Sequence, residues 1–160
     1  MARLRGLPPI IDERARVLIL GSFPSAASLA ARHYYAHRQN QFWSLLAAVL
    51  ELPLLEFDYP AKQAAVKAAG LAIWDVYASC ERQGSLDSAI RAGKANRFET
   101  LKRLAPGLQR VCFNGQMAGR FAAQLTALGY LTILLPSTSP AYTLSFNGKL
   151  ERWRQALTAA

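Results

Sequence analysis

The stretch "RVLILGS" (Arg16–Ser22) decides the fold. Its centre is an unbroken run of Val, Leu, Ile and Leu, and it ends on Gly-Ser. A half-buried strand alternates apolar and polar residues, whereas a strand covered on both faces does not. Three more runs share this composition: "LAIWDVY" (Leu71–Tyr77), "RVCFNG" (Arg110–Gly115) and "LTILLPS" (Leu131–Ser137). Helical patterns fill the intervals. "FWSLLAAVLEL" has apolar residues at helical spacing, and "AKQAAVKAAG" follows Pro60 and ends in Gly70, a suitable C-cap. "RFETLKRLAP" stops at Pro106 and "GQMAGRFAAQLTALG" at Gly129. Repeated β-then-α order predicts a doubly wound, three-layer α/β/α fold around a four-stranded parallel sheet. Residues 1–160 are read as one domain. The polar segment "SCERQGSLDSAIRAGKANR" (Ser79–Arg97) lacks a clear period and reads as a long loop with short helical pieces.

Composition narrows the function. At 52% hydrophobic residues the 160-residue chain can bury a core, which argues against disorder. No apolar run reaches the length of a membrane span, and "MARLRGLPPIIDERAR" lacks the apolar region of a signal peptide. Cys80 and Cys112 are too few to hold a zinc or iron–sulfur centre, and buried thiols in a cytosolic protein are expected. Net charge is +9, from 19 Lys and Arg against 10 Asp and Glu, which favours an anionic partner, above all nucleic acid. The positive charge is expected to cluster at the carboxyl ends of the strands, with Arg38, Arg82 and the Arg91–Arg103 segment as candidates. Acids are scarce, and Asp12, Glu13 and Asp75 are those nearest to predicted strand ends.

Ligands of open parallel sheets bind beyond the carboxyl ends of the strands. Each predicted strand ends there in a small or polar group: Gly21-Ser22, Asp75, Asn114-Gly115 and Pro136-Ser137. The stretch "YYAHRQNQFW" (Tyr34–Trp43) leaves the first strand at the same edge, with two tyrosines, a histidine, an arginine and an asparagine. Taken singly, these features have plain structural explanations. Asn40 is a good helix N-cap, Phe42 and Trp43 suit the core face of a helix, Asn114-Gly115 is a common turn, and "LPSTSPAY" (Leu135–Tyr142) reads as a Pro-rich loop. "GSFPS" (Gly21–Ser25) has neither the lysine of a P-loop nor G-x-G-x-x-G, so no nucleotide cofactor is implied. A G-x-S-x-G elbow is absent, which argues against a serine hydrolase. His33 and His37 lack a third ligand, so no metal is expected.

Taken together, "GSFPS", "YYAHRQNQFW", "CFNG" and "LPSTSPAY" resemble the uracil-DNA glycosylase superfamily, most closely its hypoxanthine-DNA (deoxyinosine) glycosylase branch. The resemblance runs from about Val17 to Tyr142, and "YAHRQNQFW" is its most specific part, similar to a segment of mismatch-specific uracil/thymine glycosylases. The departures are informative. Motif 1 lacks the Asp of the classical uracil enzymes, and Ser22 stands at about the place where the mismatch-specific enzymes have Asn. Leu135 precedes Pro136 where the uracil enzymes have His. These absences fit the deoxyinosine branch. The resemblance implies Asn40 as the catalytic residue that positions water. It also implies Tyr35 as the aromatic stacked on the base, Asn114 as the base reader, and the backbone amides of Ser22 and Phe23 as further base contacts. Ser25 and Ser137 would hold phosphates, while Ser139, Pro140, Ala141 and Tyr142 would enter the gap left by the base. The implied protein is a monofunctional glycosylase of base excision repair, with no cofactor. It would act as a monomer on DNA containing a deaminated base, in the cytoplasm or at the nucleoid if bacterial. A mismatch-specific uracil/thymine glycosylase and a non-catalytic nucleic-acid-binding module on the same fold remain as alternatives.

Overall fold

A computed structural model describes residues 2–158. Four parallel strands, β2 (Val17–Gly21), β3 (Leu71–Asp75), β6 (Arg110–Asn114) and β7 (Leu131–Leu135), form a sheet of order β3-β2-β6-β7. These are the four strands read from the sequence. Every residue of β2 and β3 is buried, so their apolar runs need no alternation. Alternate residues feed two cores. Val17, Ile19, Ile73 and Cys112 pack with Phe42, Trp43 and Trp153 on one face. Leu18, Leu20, Trp74 and Phe113 pack with Phe98, Leu101 and Leu125 on the other. The helices are α1 (Ala26–Ala31), α2 (Phe42–Leu50), α3 (Tyr59–Ala68), α4 (Leu101–Leu104), α5 (Gln116–Gly119), α6 (Ala122–Ala127) and α7 (Phe146–Thr158). With helices over both faces, this is the expected three-layer α/β/α arrangement. Both cysteines are buried and free.

The chain runs from β2 to β3 on one side, then crosses to β6 on the other. Connections therefore diverge between β2 and β6, and a crevice opens beyond their carboxyl ends. Gly70, at φ 75°, adopts the left-handed conformation expected just beyond α3, and its N–H donates to the Lys67 carbonyl.

Two local expectations are corrected. The Ser79–Arg97 segment is not a plain loop: β4 (Tyr77–Glu81) and β5 (Arg91–Ala95) pair antiparallel, and β1 (Leu4–Arg5) adds to β4. Every residue of β5 is exposed and the β4–β5 register shifts twice, so no period-two pattern marks these strands. The run before Gly129 is two helices rather than one, α5 and α6, with Arg120 and Phe121 between them.

Candidate active site

The crevice is a cavity of about 880 Å³, lined from β2 by Gly21, from β3 by Asp75 and from β6 by Asn114. The adjoining loops bring Tyr35, Asn40 and Thr138 to the same cavity. Segments separated by as much as the Gly21-to-Thr138 interval thus converge on one edge of the sheet.

The adjacent tyrosines divide their labour. Tyr34 is buried, and its hydroxyl donates to the carbonyls of Leu7 (3.1 Å) and Pro8 (3.0 Å). Its backbone N–H donates to Tyr59 Oη, and its carbonyl accepts from Trp43 Nε1. It is therefore an anchor. Tyr35 sits at φ 54°, a left-handed conformation rare for a bulky residue, and lines the cavity, as Tyr34 also does in part. The Tyr35 ring stacks on Phe42 with centroids 4.0 Å apart and planes 16° apart. Phe42 and Trp43 are buried on α2, as their structural reading held. His33 stacks on Tyr59, away from the cavity lining, whereas His37 lines it.

Asn40 is partly buried on the pocket wall. Its Oδ1 accepts the Phe42 N–H at 2.9 Å, satisfying one of the orphan donors at the start of α2. Its Nδ2 makes no hydrogen bond among the described residues. The N-cap reading of Asn40 is corrected: Gln41 caps α2, and Asn40, one residue earlier, closes a local turn onto the Phe42 N–H with one end of its amide and leaves the other to the cavity.

Asn114 is held from three sides. Its Oδ1 accepts the Thr138 N–H (2.9 Å), while its Nδ2 donates to Thr138 Oγ1 (3.0 Å) and Tyr35 Oη (3.2 Å). Gly115, at φ 97°, lets the following turn pass Ser137, whose Cβ would lie 3.2 Å from a side chain placed on Gly115.

The remaining residues implied by the resemblance have local partners. Ser22 Oγ donates to Asp87 Oδ1 at 2.6 Å. Phe23 is buried with the Arg82 guanidinium 5.3 Å from its ring centroid. The backbone N–H groups of Ser22 and Phe23 form no hydrogen bond among the described residues. Ser25 is the N-cap of α1, accepting from the Ser28 N–H. Ser137 Oγ accepts the Ser139 N–H, and Ser139 Oγ accepts the Ala141 N–H, shaping a turn whose tip, Pro140–Tyr142, is exposed.

The arginine expectation is corrected. Arg82 is buried: its Nη2 donates to the Pro24 carbonyl (2.6 Å) and its Nε to the Gly84 carbonyl (2.9 Å), so it braces the turn after β2. Lys102 lies over Tyr130, just before β7, and Arg16 and Arg110 stand at the starts of β2 and β6. Positive charge is therefore present at both edges of the sheet. Arg120 and Arg152, not singled out in the sequence, line the cavity.

Two other side chains take part: Lys149, which the sequence reading missed, and Asp75, which it singled out as a strand-end acid without a role. Lys149 on α7 is fully buried, donating to Gln41 Oε1 (2.8 Å) and the Ser139 carbonyl (3.3 Å), and thereby ties two pocket loops together. Burial holds its pKa below the usual lysine value. Asp75 is only 5% exposed, and its Oδ2 has no hydrogen-bond partner. Burial first, and the nearby Asp87 second, push its pKa up to about 7, with Arg82 opposing them. Its signal was an acid closing an otherwise apolar strand.

A parallel α/β fold with a crevice at the topological switch is the arrangement of a ligand-binding protein of the doubly wound class. Within that class, the sequence model of the Uracil DNA glycosylase superfamily matches residues 8–159, and the chain belongs to this superfamily. A Methanosarcina barkeri (strain Fusaro / DSM 804) protein named Hypoxanthine DNA glycosylase is 37% identical over 152 residues, covering 95% of this chain and 96% of its own. A protein of the same name from Methanosarcina acetivorans is 36% identical over 149 residues, 93% and 94% of the two chains. The solution NMR structure of a Methanosarcina acetivorans protein aligns with TM-score 0.89 and 35% identity over 98% of this chain and 97% of the other.

Proposed function

We propose that this protein is a monofunctional DNA glycosylase that extrudes a deaminated base, hypoxanthine by preference, and hydrolyses its N-glycosidic bond. The observation that carries the reading is the convergence of Asn40, Tyr35 and Asn114 on one cavity of a superfamily member with net charge +9. The two relatives named for hypoxanthine, each similar over nearly the whole chain, support the choice of base.

Cleaving the bond builds cationic character on the sugar and negative charge on the base, so the site must grip an extruded base and place water at C1′. Tyr35, backed by Phe42, offers the stacking surface. Asn40 positions the water. An amide accepts and donates but is a poor base, so stabilising the leaving group becomes important. The N–H groups of Ser22 and Phe23 and the amide of Asn114 meet the base, and Asn114 does so by releasing one of its present partners. Ser25 and Ser137 hold phosphates, and Ser139, Pro140, Ala141 and Tyr142 enter the vacated stack, offsetting the few kcal/mol that extrusion costs. None of these positions is a lysine, so no lyase step follows. The 160 residues act as one domain and as a monomer, in the cytoplasm or at the nucleoid if the source is bacterial.

A panel of duplexes carrying inosine, xanthine, uracil or thymine opposite each normal base tests the reading. Hypoxanthine release faster than uracil release is expected. Uracil release with none from inosine would move the protein to the mismatch-specific uracil/thymine group. Tight binding with no release would make it a binding module.

A further inference from the structure

The geometry points to Asp75 as a proton donor to the departing purine, delivering a proton to N7 as the glycosidic bond breaks. The inference rests on the glycosylase reading and deepens it.

Asp75 ends β3 directly beside Gly21 of β2, its register partner. A side chain placed on Gly21 would lie 2.6 Å from Asp75 Oδ1 and 2.8 Å from Tyr35 Oη, so glycine is what allows the two oxygens to flank this point on the cavity wall. The backbone of Asp75 is fixed, its carbonyl accepting from Asn96 Nδ2 at 2.8 Å. Its carboxyl is almost fully buried, lines the cavity and leaves Oδ2 without a partner. A buried, unpaired carboxylate is costly, and protonation removes that cost.

The charged and titratable neighbours reinforce this. From the turn after β4, Asp87 repels a second negative charge and Arg82 attracts one, but the Arg82 fork is directed at Pro24 and Gly84. From the loop before α2 come Tyr34 and Tyr35, and from α3 comes Tyr59, three phenols whose ionisation Asp75 disfavours. No cation forms a salt bridge with Asp75 among the described residues. Bound DNA would add phosphate charge and exclude water, both favouring the neutral acid.

Breaking C1′–N9 sends the bonding electron pair into the imidazole ring of hypoxanthine. Conjugation through C8 carries it to N7, which takes the Asp75 proton, so the base leaves neutral. Water adds its oxygen to C1′ and loses a proton, which returns to the Asp75 carboxylate. The net reaction consumes one water and gives hypoxanthine and an abasic sugar. A pyrimidine has no imidazole ring to receive this proton, so Asp75 favours purine release.

Asp75→Asn tests the idea, because it keeps shape and removes the proton. Single-turnover release is measured with wild type and variant on deoxyinosine and 7-deaza-deoxyinosine duplexes from pH 5.5 to 9, with carboxyl 13C NMR of Asp75 in the wild type. Expected on deoxyinosine is a loss of at least about a hundredfold in the variant. The wild-type rate should decline above about pH 7, with the variant lacking that decline. On the 7-deaza substrate both proteins should be equally slow, and the NMR signal should be that of a protonated acid at pH 6. An equal loss on both substrates would assign Asp75 a structural role and overturn the inference. So would a variant matching wild type, a wild-type rate rising with pH, or an ionised Asp75 at pH 6. If wild type releases no base from any duplex in the lesion panel, the glycosylase reading itself falls, and the inference with it.

Discussion

Asn40 holds the Phe42 N–H with one end of its amide and leaves the other for the cavity, so its two roles can be separated by substitution. Asn40→Ala should lower single-turnover base release by about a hundredfold or more, the scale of losing a positioned polar group in a transition state. Binding to abasic DNA should survive. A role confined to that N–H would cost about 0.5–2 kcal/mol of stability, as loss of a capping bond does, with near-normal turnover. Asn40→Ser decides between them, since a serine hydroxyl can accept the same N–H but is too short to reach the same water. A stable, fully active Asn40→Ser protein would reduce Asn40 to closing the turn. At Tyr35, removal of the ring in Tyr35→Ala should weaken lesion binding by about 1–3 kcal/mol. Tyr35→Phe should be mild, and equal losses would shift the importance to the hydroxyl bonded to Asn114. Asp75 makes a stability forecast as well. Its unfolded-state pKa is near 3.8 and its folded value about 7. Between those pH values the unfolded chain binds fewer protons, so this group's contribution falls as pH rises and reaches its full deficit above pH 7. Urea midpoints at pH 5 and pH 8 should therefore drop more for wild type than for Asp75→Asn.

Lys149 shows how an element far along the chain shapes the pocket. It occupies the inner stripe of α7 with Leu150, Trp153 and Ala156, yet its ammonium bonds Gln41 and Ser139. Lys149→Met keeps the stem and removes the bonds. It should weaken binding to abasic DNA by severalfold through a looser 139–142 turn, while release from saturating substrate changes less. A larger effect on the chemical step than on binding would contradict this. Neither the helix that carries Lys149 nor its partners, one more than a hundred residues away, was read from the sequence. β2, β3, β6 and β7 were legible because burial on two faces leaves an apolar run that little else imitates. β4 and β5 were not, because exposed and irregular strands carry no pattern. Asn40 and Tyr35 were singled out through the family resemblance, and both line the cavity. The roles of Tyr34 and Arg82 depended on long-range contacts to Leu7, Pro8 and Pro24.

For the molecule as a whole, net charge +9 predicts that affinity for duplex DNA falls steeply with salt, as phosphate contacts release counterions. The slope of log affinity against log salt should shrink by about one for each phosphate-contacting arginine removed. Arg120 and Arg152 are the first to test, and removing Arg16, at the opposite edge of the sheet, should leave the slope unchanged. Equal slopes for all three variants would separate the cavity from the DNA-binding surface. The tie from α7 to the pocket also bears on synthesis. The segment that anchors the 139–142 turn, from Lys149 to Trp153, follows everything it holds in place. A nascent chain therefore carries Asn40, Asp75 and Asn114 out of the ribosome well before it can complete the surface that would grip DNA. Until α7 docks, the loop from Pro136 to Tyr142 lacks the contacts from Lys149 and Trp153 that hold it beside the cavity.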